Sequence, residues 1–282
     1  MRVRNLRQII VLQPLAIPGL EELGAPYERP LEVEWAELDG LLREAAPATV
    51  LVANPYAGDR PGEMFPRVHE VLKRFPSLTV AAALELRPEN VADVAMLVDW
   101  GVSEVIDLVS ECTPRALQAR LRQAHARPLK RRLEAALSGH VSGEARNILM
   151  AAAEVAVEGG GAPELAALLR LSPRSLTDRC ARADLPPPRQ VQAWMRILLA
   201  CALLDDPGRT VYSAAFACGY STDRSLRRAI ATFLAADTTA LRREGAFGRA
   251  VAAFNDVLRE LRERGRERRR AAREETSPEI GR

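Results

Sequence analysis

The sequence predicts two domains of different class in one chain. The first is an α/β domain with a doubly wound, parallel five-stranded sheet, and the second is all-α. Two observations carry this. Through residue 127, apolar runs of five or six residues alternate with stretches of helical spacing, the order that a parallel sheet covered on both faces requires. Further on the spacing is helical, and the segments are punctuated by glycine, proline and capping hydroxyls.

The predicted strands are residues 7–12 (RQIIVL), 31–35 (LEVEW), 49–53 (TVLVA), 78–83 (LTVAAA) and 104–108 (EVIDL). Several are bounded by Pro, Gly or Asn, as strand ends commonly are. Residues 36–44, 64–74 and 91–100 have helical apolar spacing, and residues 113–124 follow the last strand. Thr113-Pro114 is a good helix start, because a hydroxyl can cap the first turn and proline lacks only an N–H that would be unpaired there.

At 282 residues, 48% hydrophobic and 27% charged, the chain has room for two ordinary domains of a water-soluble protein. No stretch approaches the roughly 18 uninterrupted apolar residues of a membrane span. The basic start, residues 1–7, leads into an apolar run stopped at Gln13-Pro14 without a small-residue cleavage site. It therefore does not read as a signal peptide, and a cytoplasmic location is expected. Cys112, Cys180, Cys201 and Cys218 are far apart, as are His69, His125 and His140. No metal site is expected from ligands so dispersed, and the thiols read as small buried apolar groups. No glycine-rich phosphate loop, nucleophile–base set or carboxylate pair can be located. Hence no cofactor, no catalytic residue and no enzymatic activity are expected.

The net charge of +3 hides an asymmetry. Residues 1–127 hold 14 basic and 18 acidic side chains, whereas residues 128–282 hold 26 and 19. A positive surplus confined to one half suits contact with phosphate.

Residues 128–137 read as a basic helical segment, with Lys130, Arg131 and Arg132 on one turn, and residues 128–143 as a linker between domain 1–127 and a helical domain at 144–245. A helix from Glu144 to Glu158 stops at Gly159-Gly160-Gly161, where positive φ is free. Two hairpins of similar design follow. In the first, ELAALL (164–169) precedes a tight turn and a helix starting Ser172-Pro173. In the second, SAAFACGY (213–220) precedes Ser221-Thr222-Asp223. In each a small residue, Ala166 or Ala215, lies six positions before the expected capping serine, Ser172 or Ser221, where it lets two helices cross closely. Gly219 supplies free positive φ in the second turn; Arg170 stands in that place in the first. Between the hairpins, residues 190–204 (QVQAWMRILLACALL) form a long apolar helix entered through three prolines. Leu165, Leu176, Phe216, Leu226, Ile230, Phe233 and Trp194 are expected in the core.

Helix-turn-helix, apolar helix and helix-turn-helix in this order resemble the DNA-binding domain of the AraC/XylS family of transcription regulators, over about residues 144–245. The best segment is residues 214–233, where Gly219-Tyr220-Ser221 and Arg228 stand at the family's G-[FY]-S…R positions. Two positions depart. Leu226 replaces an aromatic, and residues 234–238 (LAADT) replace the Gly and Pro near the end. The resemblance implies double-stranded DNA as partner, read in two adjacent major grooves. Pro173, Arg174, Thr177 and Asp178 are the base-facing candidates of the first unit, and Thr222, Asp223, Arg224 and Arg227 those of the second. Ser172, Ser221 and Arg228 are the phosphate-contacting candidates. Arg can pair with guanine, Asp can accept from cytosine, and a Thr methyl can meet that of thymine.

The first half is similar in order and lengths to a response-regulator receiver, over residues 7–124. The receiver's acidic pair, acceptor Asp, hydroxyl and Lys are replaced by Gln13 and Pro14, by Asn54, by Ala82 or Ala83, and by Asp107 or Leu108. With Asn54 at the acceptor position there is no carboxylate nucleophile for phosphoryl transfer there, so a pseudo-receiver that senses or dimerises without phosphate is expected. Asn54-Pro55-Tyr56 also reads as a strand-ending turn. A homodimer and an effector or protein at this domain stay open as partners, without a membrane.

Residues 246–282 form an extension. Phe247, Val251, Phe254, Leu258 and Leu261 make a seam of about two heptads, suited to dimerisation or to packing back on the domain. Residues 262–275 (RERGRERRRAAREE) read as a solvated, partly disordered tail, with nonspecific DNA contact as the second reading. The competing function is an α/β small-molecule-binding or signalling scaffold whose helical domain no longer binds DNA.

Overall fold

A computed structural model describes residues 7–45, 49–57, 64 and 66–276. The basic stretch before Arg7 and the last six residues of the extension lie outside the described residues.

All five predicted strands form: β1 (Ile9–Leu12), β2 (Leu31–Val33), β3 (Val50–Ala53), β4 (Thr79–Leu84) and β5 (Glu104–Asp107). They make one sheet in the order β2-β1-β3-β4-β5 with every pair parallel. Alternate side chains serve opposite faces. Ile10, Leu12, Leu51, Ala53, Val80 and Ala82 meet α1 (Trp35–Glu44), α2 (Arg67–Arg74) and α3 (Val91–Trp100). Ile9, Val11, Val50, Val52, Ala81 and Ile106 meet Leu117 and Leu121 of α4 (Pro114–Ala136) and the β1–β2 connection through Leu15, Ile17 and Leu20. The sheet is thus doubly wound, although an irregular segment rather than a helix covers part of one face. The second helix begins at Arg67, later than the expected residue 64.

The all-α half comprises α5 (Gly143–Val157), α6 (Ala162–Leu168), α7 (Pro173–Arg182), α8 (Pro188–Leu204), α9 (Val211–Ala217), α10 (Asp223–Leu234), α11 (Thr238–Glu244) and α12 (Ala246–Thr276). Their shared core centres on α8, whose Val191, Met195, Ile197, Leu198 and Cys201 are fully enclosed.

The helix expected at residues 113–124 and the basic helical segment at 128–137 are one continuous helix. Thr113 caps α4 as predicted, accepting from Ala116 N at 3.3 Å. The helix then runs on through Pro128 to Ala136. Proline costs a helix interior one hydrogen bond, but here both halves of the rod are anchored. Leu117 and Leu121 belong to the sheet's core, and Leu129 and Leu133 to the helical core. The basic turn is likewise consumed. Lys130 pairs with Glu154, Arg132 pairs with Asp205 at 2.5 Å and lies over the Phe247 ring, and Arg131 stacks against Gly101. Two further ties cross between the halves. Arg7 pairs with Glu158 at 3.0 Å. The Asp206 carboxylate accepts from Ser77 N at 3.2 Å and from the Ser77 hydroxyl, while Arg209 donates to the Ala45 carbonyl.

The extension also differs from expectation. Phe247, Ala250, Val251, Phe254 and Leu258 are buried within the chain's own helical core, so the seam packs back on the domain. The segment expected as a disordered tail continues the same helix to Thr276. It is solvated, as its charge pattern implied, but it is ordered: Gly265 is buried against Asp184, and Arg269 grips that carboxylate with both terminal nitrogens at 3.0 and 2.9 Å.

Candidate nucleic-acid interface

The first unit is α6, a turn and α7; the second is α9, a turn and α10. Their turns share one hydrogen-bond pattern. Leu169 N, Arg170 N and Leu171 N donate to the carbonyls of Leu165, Ala167 and Ala166 at 3.1, 3.1 and 2.8 Å. Cys218 N, Gly219 N and Tyr220 N donate to those of Ala214, Phe216 and Ala215 at 3.1, 3.0 and 2.9 Å. Arg170 takes φ +55° where Gly219 takes +75°. The arginine thus makes the glycine's turn, and the departure seen in the sequence is absorbed as local strain of about 1–2 kcal/mol. Ala166 and Ala215 are buried at the crossings, as their size predicted.

After the turns the units fall out of step by one residue. Ser172 caps α7, its Oγ accepting from Ser175 N at 3.1 Å. In the second unit Thr222, not Ser221, is the cap. Its Oγ1 accepts from Ser225 N at 3.1 Å, and the Ser225 hydroxyl accepts from Thr222 N at 3.2 Å. The assignment of Ser221 as cap is therefore corrected: it is an extra exposed turn residue. A serine followed by a threonine offers two hydroxyls, and only the reciprocal bond with Ser225 decides between them. Thr222 now corresponds to Ser172, Asp223 to Pro173, Arg224 to Arg174, Arg227 to Thr177 and Arg228 to Asp178. Leu176 and Cys180 in α7, and Leu226 and Ile230 in α10, face the core at matching places.

The opposite faces are exposed. Arg174, Thr177 and Asp178 line one, and Arg224, Arg227 and Arg228 the other, with the i, i+3, i+4 spacing of a helix face. Among the described residues Arg174, Arg224 and Arg228 have no carboxylate partner, whereas Arg179 pairs with Glu144 at 3.4 Å. Arg227 is committed on two sides: Nε lies 3.6 Å from Asp223, and a terminal nitrogen donates to Thr238 Oγ1 at 2.9 Å. It ties α10 to α11. Thr177 donates its hydroxyl to Pro173 O at 3.0 Å, leaving its methyl as the free group.

Ala235 occupies φ +48° as the C-cap of α10, so the sharp exit forms without the family's glycine. Asp237 then caps α11, accepting from Thr239 N and Ala240 N; those donors hold its carboxyl below the ordinary value. Burial pushes the Cys180 thiol up to about 11 and the Cys201 thiol up to about 12. Both are inert packing groups, as expected. Phe216 is not in the core: it is 44% exposed and pairs with the Tyr212 ring at 4.7 Å. Trp194 is buried, edge-on to Phe233 and beside Phe254.

Residues 165–244 match the helix-turn-helix domain family, of AraC type. The match begins inside α6 and ends with α11, so it takes in both units and the helix between them. The C-terminal half carries a helix-turn-helix DNA-binding domain. No curated protein and no solved structure matches the chain.

At the strand ends of the first domain, the Asn54 carboxamide oxygen accepts from Tyr56 N at 2.9 Å, closing the turn. Asp107 accepts from Leu86 N and Val109 N at 3.2 and 3.1 Å and from Ser110 Oγ at 2.6 Å. These donors, Ser110 first, hold its carboxyl below the ordinary value. No helix of the described residues is long and apolar enough to cross a membrane, and no group of three metal-ligating side chains occurs among them.

Proposed function

We propose that this protein is a sequence-specific transcription regulator whose two reading helices enter adjacent major grooves of one duplex. The observation that carries this is the repeated unit. Two capped helices each present in the first turn a guanidinium without a carboxylate partner among the described residues, Arg174 and Arg224, and one buried helix joins the units. The 17 residues of α8 span roughly 25 Å, and the flanking turns supply the rest of the ~34 Å between grooves on one face. Arg174, Thr177 and Asp178, with Arg224 and Arg228, would read bases, while Arg227 would hold α10 against α11 through Thr238. Ser172 and Thr222, at the helix N-termini, would meet phosphates. The one-residue offset moves Thr222 from the base-facing set to the phosphate set, and Arg228 the other way. Pro173 and Asp223 stand at the first helical position of each. The first domain acts as a sensing or dimerising module without phosphorylation, because its turn-forming Asn54 offers no nucleophile.

Selection from a random duplex pool should yield a bipartite consensus with half-sites about one helical turn apart, and affinity for it should fall steeply as salt rises. A single half-site, or binding indifferent to salt, refutes the reading.

A further inference from the structure

A cleft of about 550 Å³ lies between the α4–α5 loop, the end of α7 and the outer half of α12. It is far from the reading surface: α7 is ten residues long, so its C-terminal end stands ~15 Å from the N-terminus that would enter a groove. Three arginines line the cleft, Arg182 from α7 and Arg262 and Arg269 from α12. The one carboxylate lining it among the described residues, Asp184, is taken up by Arg269. Arg182 and Arg262 have no ion-pair partner among the described residues, so the cleft holds uncompensated positive charge.

Its construction is close-fitting. Gly265 passes Asp184 so tightly that a Cβ there would collide with the carboxylate oxygen. His140 lies on the wall with Nε2 shielded from solvent and unpartnered among the described residues. Burial first, then Arg262, Arg259 and Arg266, disfavour its protonated form, so it is available as a neutral group. The first turn of α5 adds a positive helix end at Ser142 and Ala145, while Val141, Leu185 and Leu258 supply apolar wall.

We propose that this cleft binds a small phosphate-bearing anion of about mononucleotide size, held between Arg182 of the first reading unit and Arg262 of α12. Guanidinium forks suit the paired oxygens of phosphate, and the volume lies within the roughly 300–1,000 Å³ of small-ligand sites. An occupant would bridge α12 to the α7–α8 turn, which places an effector contact on the reading domain itself.

The test is titration of the full chain with inorganic pyrophosphate by calorimetry at fixed ionic strength, with a consensus duplex titrated in parallel. Saturable binding is expected, weakened about tenfold or more by Arg182→Ala and by Arg262→Ala and unchanged by Arg224→Ala. Asp184→Asn keeps a residue tolerant of its φ of +55° and releases Arg269, so it should tighten binding about threefold or more. Absence of saturable binding, or equal or weaker binding by Asp184→Asn, overturns the proposal. So does a result in which pyrophosphate and duplex compete and Arg262→Ala weakens the duplex alone, since the cleft would then be a DNA-backbone contact. A loss of pyrophosphate binding with duplex binding intact separates failure here from failure of the regulator reading.

Discussion

Replacing Asp206 with alanine should loosen the junction between the sheet and the helical domain. The Asp206 side chain is wholly buried and that of Arg209 is 3% exposed, with Arg209 Nε 3.6 Å from the carboxylate. At an effective dielectric of 20 that attraction is about 4–5 kcal/mol. Burial nevertheless raises the Asp206 carboxyl and lowers the Arg209 guanidinium from their ordinary values, so desolvation outweighs what the pair returns. Asp206→Ala strands a buried cation and frees Ser77 N and Oγ, which should cost about 3–5 kcal/mol in urea unfolding at neutral pH. An Asp206→Leu/Arg209→Met double variant removes both charges and should cost clearly less than the single change. If the single variant loses under 1 kcal/mol, or the two changes simply add, the Asp206–Arg209 pair does not hold the junction. The sign of the pH effect follows from the raised carboxyl. Protonation favours the folded form, so this group's contribution is greatest below the ordinary Asp value and is lost as pH rises through its folded pKa. In Asp206→Asn that segment of the stability profile should flatten.

Thr222→Ala should cost about 1–2 kcal/mol of stability and weaken duplex binding, whereas Ser221→Ala should leave unfolding within about 0.5 kcal/mol of the parent; the reverse order by thermal unfolding restores Ser221 as the cap. Arg224→Ala should lose about 1–3 kcal/mol at the preferred site and relax one base position, while Arg227→Ala, tied to Asp223 and Thr238, should chiefly lower the melting temperature; unchanged selectivity in Arg224→Ala removes it from the reading face. Ala235→Gly should raise stability by about 0.5–1 kcal/mol, because glycine meets the positive φ without a Cβ; a lower melting temperature would contradict the exit geometry. Acetyl phosphate should leave the first domain's mass unchanged, and a stable phosphoryl adduct there would show a nucleophile that Asn54 does not provide.

The elements legible in the sequence are those whose pattern is local. Five apolar runs became five strands, with β1, β3 and β4 buried at every position while the edge strand β2 keeps Leu31 exposed, and α3 stops at Trp100 because Gly101 ends it at φ +104°. The two reading units were visible for the same reason: a small residue at each crossing, a turn and a hydroxyl cap all act within about ten residues. What local pattern left ambiguous was decided by partners distant in sequence. The helices expected at 113–124 and 128–137 are one continuous α4, since the sheet holds Leu121 and the helical core holds Leu133. Residues 262–275 carry no apolar period, yet they stay helical to Thr276, with Gly265 set against Asp184 some eighty residues earlier.

Composition determined the basic surplus of the second half but not which arginines remain free. Arg132 and Arg209 spend their charge on the junction and Arg269 on Asp184, while Arg174, Arg224 and Arg228 are exposed and without carboxylate partners among the described residues. An ion's availability depends on what lies within a few ångströms of it, and folding alone sets those distances.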